Sequence, residues 1–203
     1  VYIIAGNNCE NSCLPEVFFL YLSINNKKQI KVMSNFKSSS KEIKGLTSSK
    51  IAKKENNDCF VRALAAATGS TYDAAHEVVE TKFNRSYKKG TKNYMIRKVF
   101  KEASSDGLKV GDTKYDINVL TGSDINNTYK LYGEYIDRKK TVKSFIQDHP
   151  KGNYVVTVSK HAFAVNDGML VDNVGEEFRP TRKVDGAYKI ISPIQSSQQL
   201  TLF

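Results

Sequence analysis

Asn153-Tyr-Val-Val-Thr-Val158, followed after two residues by His161-Ala-Phe-Ala-Val-Asn-Asp-Gly-Met-Leu-Val-Asp172, is the stretch that decides the fold class. The first run is rich in β-branched and aromatic residues and reads as a strand. The second places Asp167-Gly168 between two apolar runs, a strong short-range signal for a two-residue β-hairpin turn. Residues 188–191 read as a last strand. Upstream the period is different. Asn56-Asn-Asp58 offers helix N-cap chemistry, residues 59–68 are strongly helix-forming, and Gly69 stands where a C′ glycine would. A second helix is expected from 70 or 71 to about 83. After a loop over 87–91, a third is expected over 93–103, with Met95, Ile96, Val99 and Phe100 on one face. Gly107 and Gly111 mark turns. The polar stretch 112–136 carries short strands around 115–120 and 129–132, and a short helix over 141–147 stops at His149-Pro150. Helices first and antiparallel strands after predict an α+β domain, with N-terminal helices packed on a C-terminal antiparallel sheet.

The hairpin also fixes which side chains meet. With a two-residue turn, Asn166 faces Met169, Phe163 faces Asp172 and His161 faces Val174. Alternation keeps 161 and 163 on one face, so Asp172 is a diagonal neighbour of His161. A three-residue loop with a bulge would instead set Asn173 opposite His161. Either register gives the imidazole a polar group to orient it, and the Asp-Gly pair favours Asp172.

Cys59 stands at the first turn of a helix, where unpaired amides and the helix dipole favour a thiolate. A thiolate there is a nucleophile once a base reaches it, and His161 with Asp172 supplies the other two members of a Cys-His-Asp triad. Asn173 is the alternative third member. The Cys59 amide, with the side chain of Asn56 or Asn57, would stabilise an oxyanion. The remaining histidines read as bystanders: His76, beside Glu77, partly exposed, and His149, before Pro150, structural.

Composition bounds the rest. The chain has 203 residues, 40% hydrophobic and 26% charged, enough for one large domain. Its net charge of +10 is concentrated: residues 27–54 hold nine lysines against Glu42 alone, which accounts for +8. The other 22 Lys and Arg stand against 20 Asp and Glu. A Ser- and Asn-rich segment of that kind buries too little to offset its ordering entropy, so 33–54 is expected to be a flexible linker after an N-terminal extension, 1–32. It would support at most a weak, salt-sensitive contact with nucleic acid. Met33-Ser34 would make a natural translation start. No run approaches the ~20 apolar residues of a membrane helix, and 17–24 lacks the basic leader of a signal peptide. Cys9, Cys13 and Cys59 cannot all pair, which suggests a reducing, cytoplasmic setting. Three histidines with these cysteines give no zinc-ligand spacing. No metal or cofactor is expected.

The run Asn57-Asp-Cys-Phe-Val-Arg-Ala-Leu-Ala-Ala-Ala-Thr-Gly69, with His161 to Asp172 far downstream, resembles the papain-like cysteine peptidase fold. More narrowly, it is similar to small bacteriophage-type proteins related to the bacteriocin-processing, C39-like peptidases. The resemblance covers residues 55–192. It implies Cys59 as nucleophile, His161 as base, Asp172 as orienting residue, and a thiol hydrolase, most simply a peptidase acting on a peptide or protein in bacterial cytoplasm. Papain-like enzymes carry a Gln about half a dozen residues before the Cys; here Lys53 and Lys54 occupy that region, so Asn56 or Asn57 would have to substitute. The alternative is a catalytically inactive binding module of the same fold that recruits or blocks the bacterial sliding clamp through its tail. The tail, 193–203, ends Gln199-Leu200-Thr201-Leu202-Phe203. It looks like the bacterial sliding-clamp-binding motif, which implies that Leu202 and Phe203 would anchor in an apolar pocket, with Leu200 beside them and Gln199 at the rim.

Overall fold

A computed structural model describes residues 43–172 and 179–192. The extension 1–32, the first ten linker positions, Asn173 and the tail 193–203 lie outside the described residues. So, therefore, do Cys9, Cys13, Gln199, Leu200, Leu202 and Phe203.

Among the described residues, four α-helices and a six-stranded antiparallel sheet make an α+β fold. Helix α1, Cys59–Thr68, is buried almost all round, as its alanines and its Phe60, Val61 and Leu64 require. It ends at Gly69, whose left-handed φ of 66° a side chain would strain. Helix α2, Tyr72–Thr81, begins where Thr71 Oγ1 accepts the Ala74 amide at 3.3 Å. Helix α3, Asn93–Asp106, buries Ile96, Val99, Phe100 and Ala103 at helical spacing and stops at Gly107. Helix α4, Val142–Asp148, is capped by Thr141, which accepts from Ser144 N at 3.1 Å.

The strands are β1 (Leu108–Val110), β2 (Thr113–Leu120), β3 (Asn126–Leu131), β4 (Glu134–Lys139), β5 (Asn153–Val158), β6 (His161–Asn166), β7 (Met169–Val171) and β8 (Val184–Ile191). The main sheet runs β1-β2-β8-β5-β6-β7, and β3 and β4 form a separate ribbon. The sheet is not wholly C-terminal, because β1 and β2 precede α4 and supply one edge. The β6–β7 register is the two-residue one, with Ala164 opposite Val171 and Asn166 opposite Met169.

Apolar side chains pack on both faces of the sheet. On one side α1, α2 and α3 cover Val155, Ala162, Ala164, Tyr188 and Ile190. On the other, α4 contributes Phe145 and Ile146 to a cluster with Tyr154, Val156, Phe163, Val165 and Ala187. Small residues at 162 and 164 let α1 lie close along β6. Asn166 Nδ2 donates to Ala66 O at 2.9 Å and ties the far end.

Three expectations need correction. The linker does not run to residue 54. Ile43 is buried in the core, Tyr72 N donates to Lys44 O at 2.9 Å, Ser49 hydrogen-bonds Asp73, and Ala52–Lys54 form a 3-10 turn. One isoleucine and a few polar ties carry too little pattern to show through the lysines. β1 and β4 were not foreseen: β1 is three residues long, and the β3–β4 ribbon is solvated on both faces and shows no alternation. His76 is not partly exposed but buried against Glu55. Among the described residues, no helix is long and apolar enough to cross a membrane.

Candidate active site

The start of α1 is built without a side-chain cap. Asp58 occupies the N-cap, but its buried carboxylate accepts instead from Arg62 Nε at 2.9 Å and from the Tyr72 hydroxyl at 2.8 Å. Burial, together with that bond to Asp58, pushes the Tyr72 hydroxyl pKa far up, so it stays a donor. The first amides of α1 are thus left without a side-chain acceptor, at the turn that carries the free, half-buried Cys59 thiol.

His161 is the first residue of β6, beside that helix start. Its Nε2 lies 2.8 Å from both Asp172 oxygens, and the Asp172 side chain is 1% exposed. The Cys59 thiol also interacts with this ring, and both line the same cleft. Burial alone would lower the His161 pKa. The hydrogen bonds to Asp172 and Cys59 and their negative charges outweigh it and lift it to about 9. The ring therefore carries a proton at neutral pH, held between a carboxylate and a sulfur. Pleat parity groups His161 with Phe163 and Val165, on the face away from α1. The ring nevertheless lines one cleft with Cys59, because position 161 is at the end of the strand.

That cleft has a volume of about 480 Å³. One wall is Asn57 to Phe60, another Gly90 to Asn93 with Ile96, and a third Lys160 to Ala162. Of the two oxyanion candidates, Asn57 lines the cleft and Asn56 does not. Asn57 sits at a left-handed φ of 55° and donates from Nδ2 to Lys88 O at 3.2 Å. Asn56 contributes its carbonyl, which accepts from Arg85 Nη2 at 3.1 Å. Cys59, His161, Asp172 and Asn57 are therefore brought together, while Asn173 and the four tail residues lie outside the described residues. His149 stacks on Phe145 and bonds its carbonyl, away from the cleft.

The sequence reading missed the device behind the cleft. Glu55, with no side-chain exposure, meets His76 Nε2 at 2.9 Å and Arg85 Nη2 at 2.8 Å, and accepts the Lys88 amide at 3.2 Å. Burial raises its pKa, but the bonds to Arg85 and His76, the guanidinium charge and the Lys88 amide together hold it at about 2. This cluster ties the approach to Cys59 to the loop carrying Gly90 to Lys92. No periodicity marks it, since its members come from a loop, a helix and another loop. Among the described residues, no group of three or more His, Cys, Asp or Glu converges as metal ligands would. Compared with family models, curated proteins and solved structures, the chain has no match.

Proposed function

We propose that this chain is a thiol hydrolase with a papain-like arrangement, most simply a cysteine peptidase, whose triad is Cys59, His161 and Asp172. The observation that carries the reading is the His161 ring, bound to the buried Asp172 carboxylate and interacting with the Cys59 thiol beside it in the lining of one open cleft. The Cys59 thiolate adds to a substrate carbonyl carbon, and the C=O electrons move to oxygen. The helix-start amides would be the donors to that oxygen, with the Asn57 side chain, which lines the cleft, beside them. The His161 imidazolium gives its proton to the leaving nitrogen as the C–N bond breaks, leaving a thioester on Cys59. Neutral His161 then takes a proton from water, the hydroxide adds to the thioester, and the acid departs with the thiolate restored. Asp172 keeps the ring oriented and its charged form stable throughout.

The test is labelling with a thiol-reactive acyl probe. Wild type should be labelled at Cys59, Cys59→Ala should not, and His161→Ala should be slowed by two orders of magnitude or more, the size of a lost general base. Slow labelling that is indifferent to His161 would leave a binding module rather than an enzyme.

A further inference from the structure

We propose that the cleft selects acidic peptides: the substrate carries an Asp or Glu side chain close to the scissile bond, held by Lys92 and Lys160. This rests on the thiol-hydrolase reading and names the substrate class of the same site.

The charges facing the cleft are one-sided. Its lining holds Lys92, Lys160 and the protonated His161, and its one acid is Asp58. Asp58 is buried and already taken by Arg62 and Tyr72, so it offers no countercharge. Among the described residues neither lysine forms an ion pair; Lys92 only approaches the Tyr94 ring, at 5.9 Å. Lys88 and Lys89, both exposed, extend the positive wall along the same loop.

Both lining lysines also stand where local rules disfavour them. Lys160 is the second residue of the two-residue turn between β5 and β6 and has a left-handed φ of 59°, a conformation that suits Gly or Asn better than Lys. Lys92 is the N-cap of α3, makes no side-chain cap, and puts a cation at the positive end of the helix dipole. The turn explains the backbone at 160 and the helix start explains position 92, but neither explains why a lysine stands there. Thr91, between Gly90 and Lys92 on that wall, keeps a buried Oγ1 with no hydrogen-bond partner. The cations flank the Cys59–His161 pair on two walls rather than converging on one point. That spacing suits carboxylates along an extended peptide better than a single compact anion. The same field rejects lysine and arginine near the scissile bond.

The experiment uses the full chain and peptidyl vinyl sulfones that differ only in bearing Glu, Gln or Lys next to the reactive group, with Cys59 adduct formation followed by mass spectrometry. At low salt, Glu probes should react roughly tenfold faster than Lys probes, the product of two modest ion pairs in a shared field. About 0.5 M salt should erase most of that ratio. Lys92→Gln with Lys160→Gln should bring the Glu-to-Lys ratio near one; a merely structural role would slow both probes alike and leave the ratio intact. Equal rates for the Glu and Lys probes, or faster reaction with Lys, overturns the acidic specificity while leaving the hydrolase reading in place. If Cys59 reacts with none of the probes, the hydrolase reading falls and this inference falls with it.

Discussion

Glu55→Gln tests whether a buried charge cluster holds the cleft together. The substitution keeps the shape and removes one charge. Arg85, whose side chain is 1% exposed, would be left with a neutral partner in place of the carboxylate it meets at 2.8 Å. Two routes give the size of the loss. Removing one member of a buried ion pair costs about 3–5 kcal/mol, because the other charge stays buried. Independently, the Glu55 pKa falls from 4.5 to about 2 on folding, which is worth about 3 kcal/mol near neutral pH. The folded pKa is depressed, so this stability is fully present above about 4.5 and is lost as pH falls through about 2. Urea unfolding followed by far-UV circular dichroism, at pH 7 and pH 3, should therefore show Glu55→Gln less stable by about 3 kcal/mol at pH 7 and by roughly half that at pH 3. Cys59 labelling should slow in the same variant, since Lys88 and Arg85 no longer fix the wall bearing Lys92. A gap under about 1 kcal/mol at pH 7, or an equal gap at both pH values, would refute the assignment of Glu55 as the charge that holds this cluster.

Three further outcomes follow from the same structure. Asp172→Asn keeps a hydrogen-bond acceptor but loses the charge, so the His161 ring should titrate well below about 9 by NMR and Cys59 should alkylate more slowly at pH 7. Because the wild-type His161 pKa is raised from 6.5, its stabilising contribution is whole below 6.5 and is lost as pH rises through about 9; the variant should show much less of that alkaline loss in urea midpoints. Ile43→Ala should cost about 2–5 kcal/mol in urea unfolding, the usual range for a buried isoleucine, whereas a negligible cost would return residues 43–54 to the linker. Gly107→Ala should cost roughly 1–2 kcal/mol in the same assay, because φ is +74° and the new Cβ would lie 2.7 Å from Lys114 Cε and 3.0 Å from the Tyr115 carbonyl.

Features governed by neighbours in the chain could be read from the sequence. Helix α1 lies between Asp58 and Gly69, β5 covers 153–158, and the Asp167-Gly168 turn sets the register that carries Asp172 to His161. Features governed by distant partners could not. Ile43 belongs to the core because Lys44 bridges to Thr71, a contact no window of sequence contains. Likewise, Glu55, His76 and Arg85 each look like an ordinary surface residue until three segments bring them together.

The candidate site sits on the boundary between these two kinds of information. The pair His161–Asp172 is a hairpin property and follows from turn chemistry. The pair Cys59–His161 is not, and strand parity even points the wrong way. What brings them together is packing. Ala162 and Ala164 present little bulk toward α1, the Asn166 bond to Ala66 fixes one end, and helix and strand then run in the same direction from a common end. Two N-termini meet there: a helix start poor in side-chain acceptors, and a strand start from which an imidazole can leave the sheet. A larger residue at 162 would push α1 away from β6 and separate sulfur from imidazole while leaving the His161–Asp172 bond intact. The proposed triad is therefore two structures of different origin, one local and robust, the other dependent on the close fit of a single helix against a single strand.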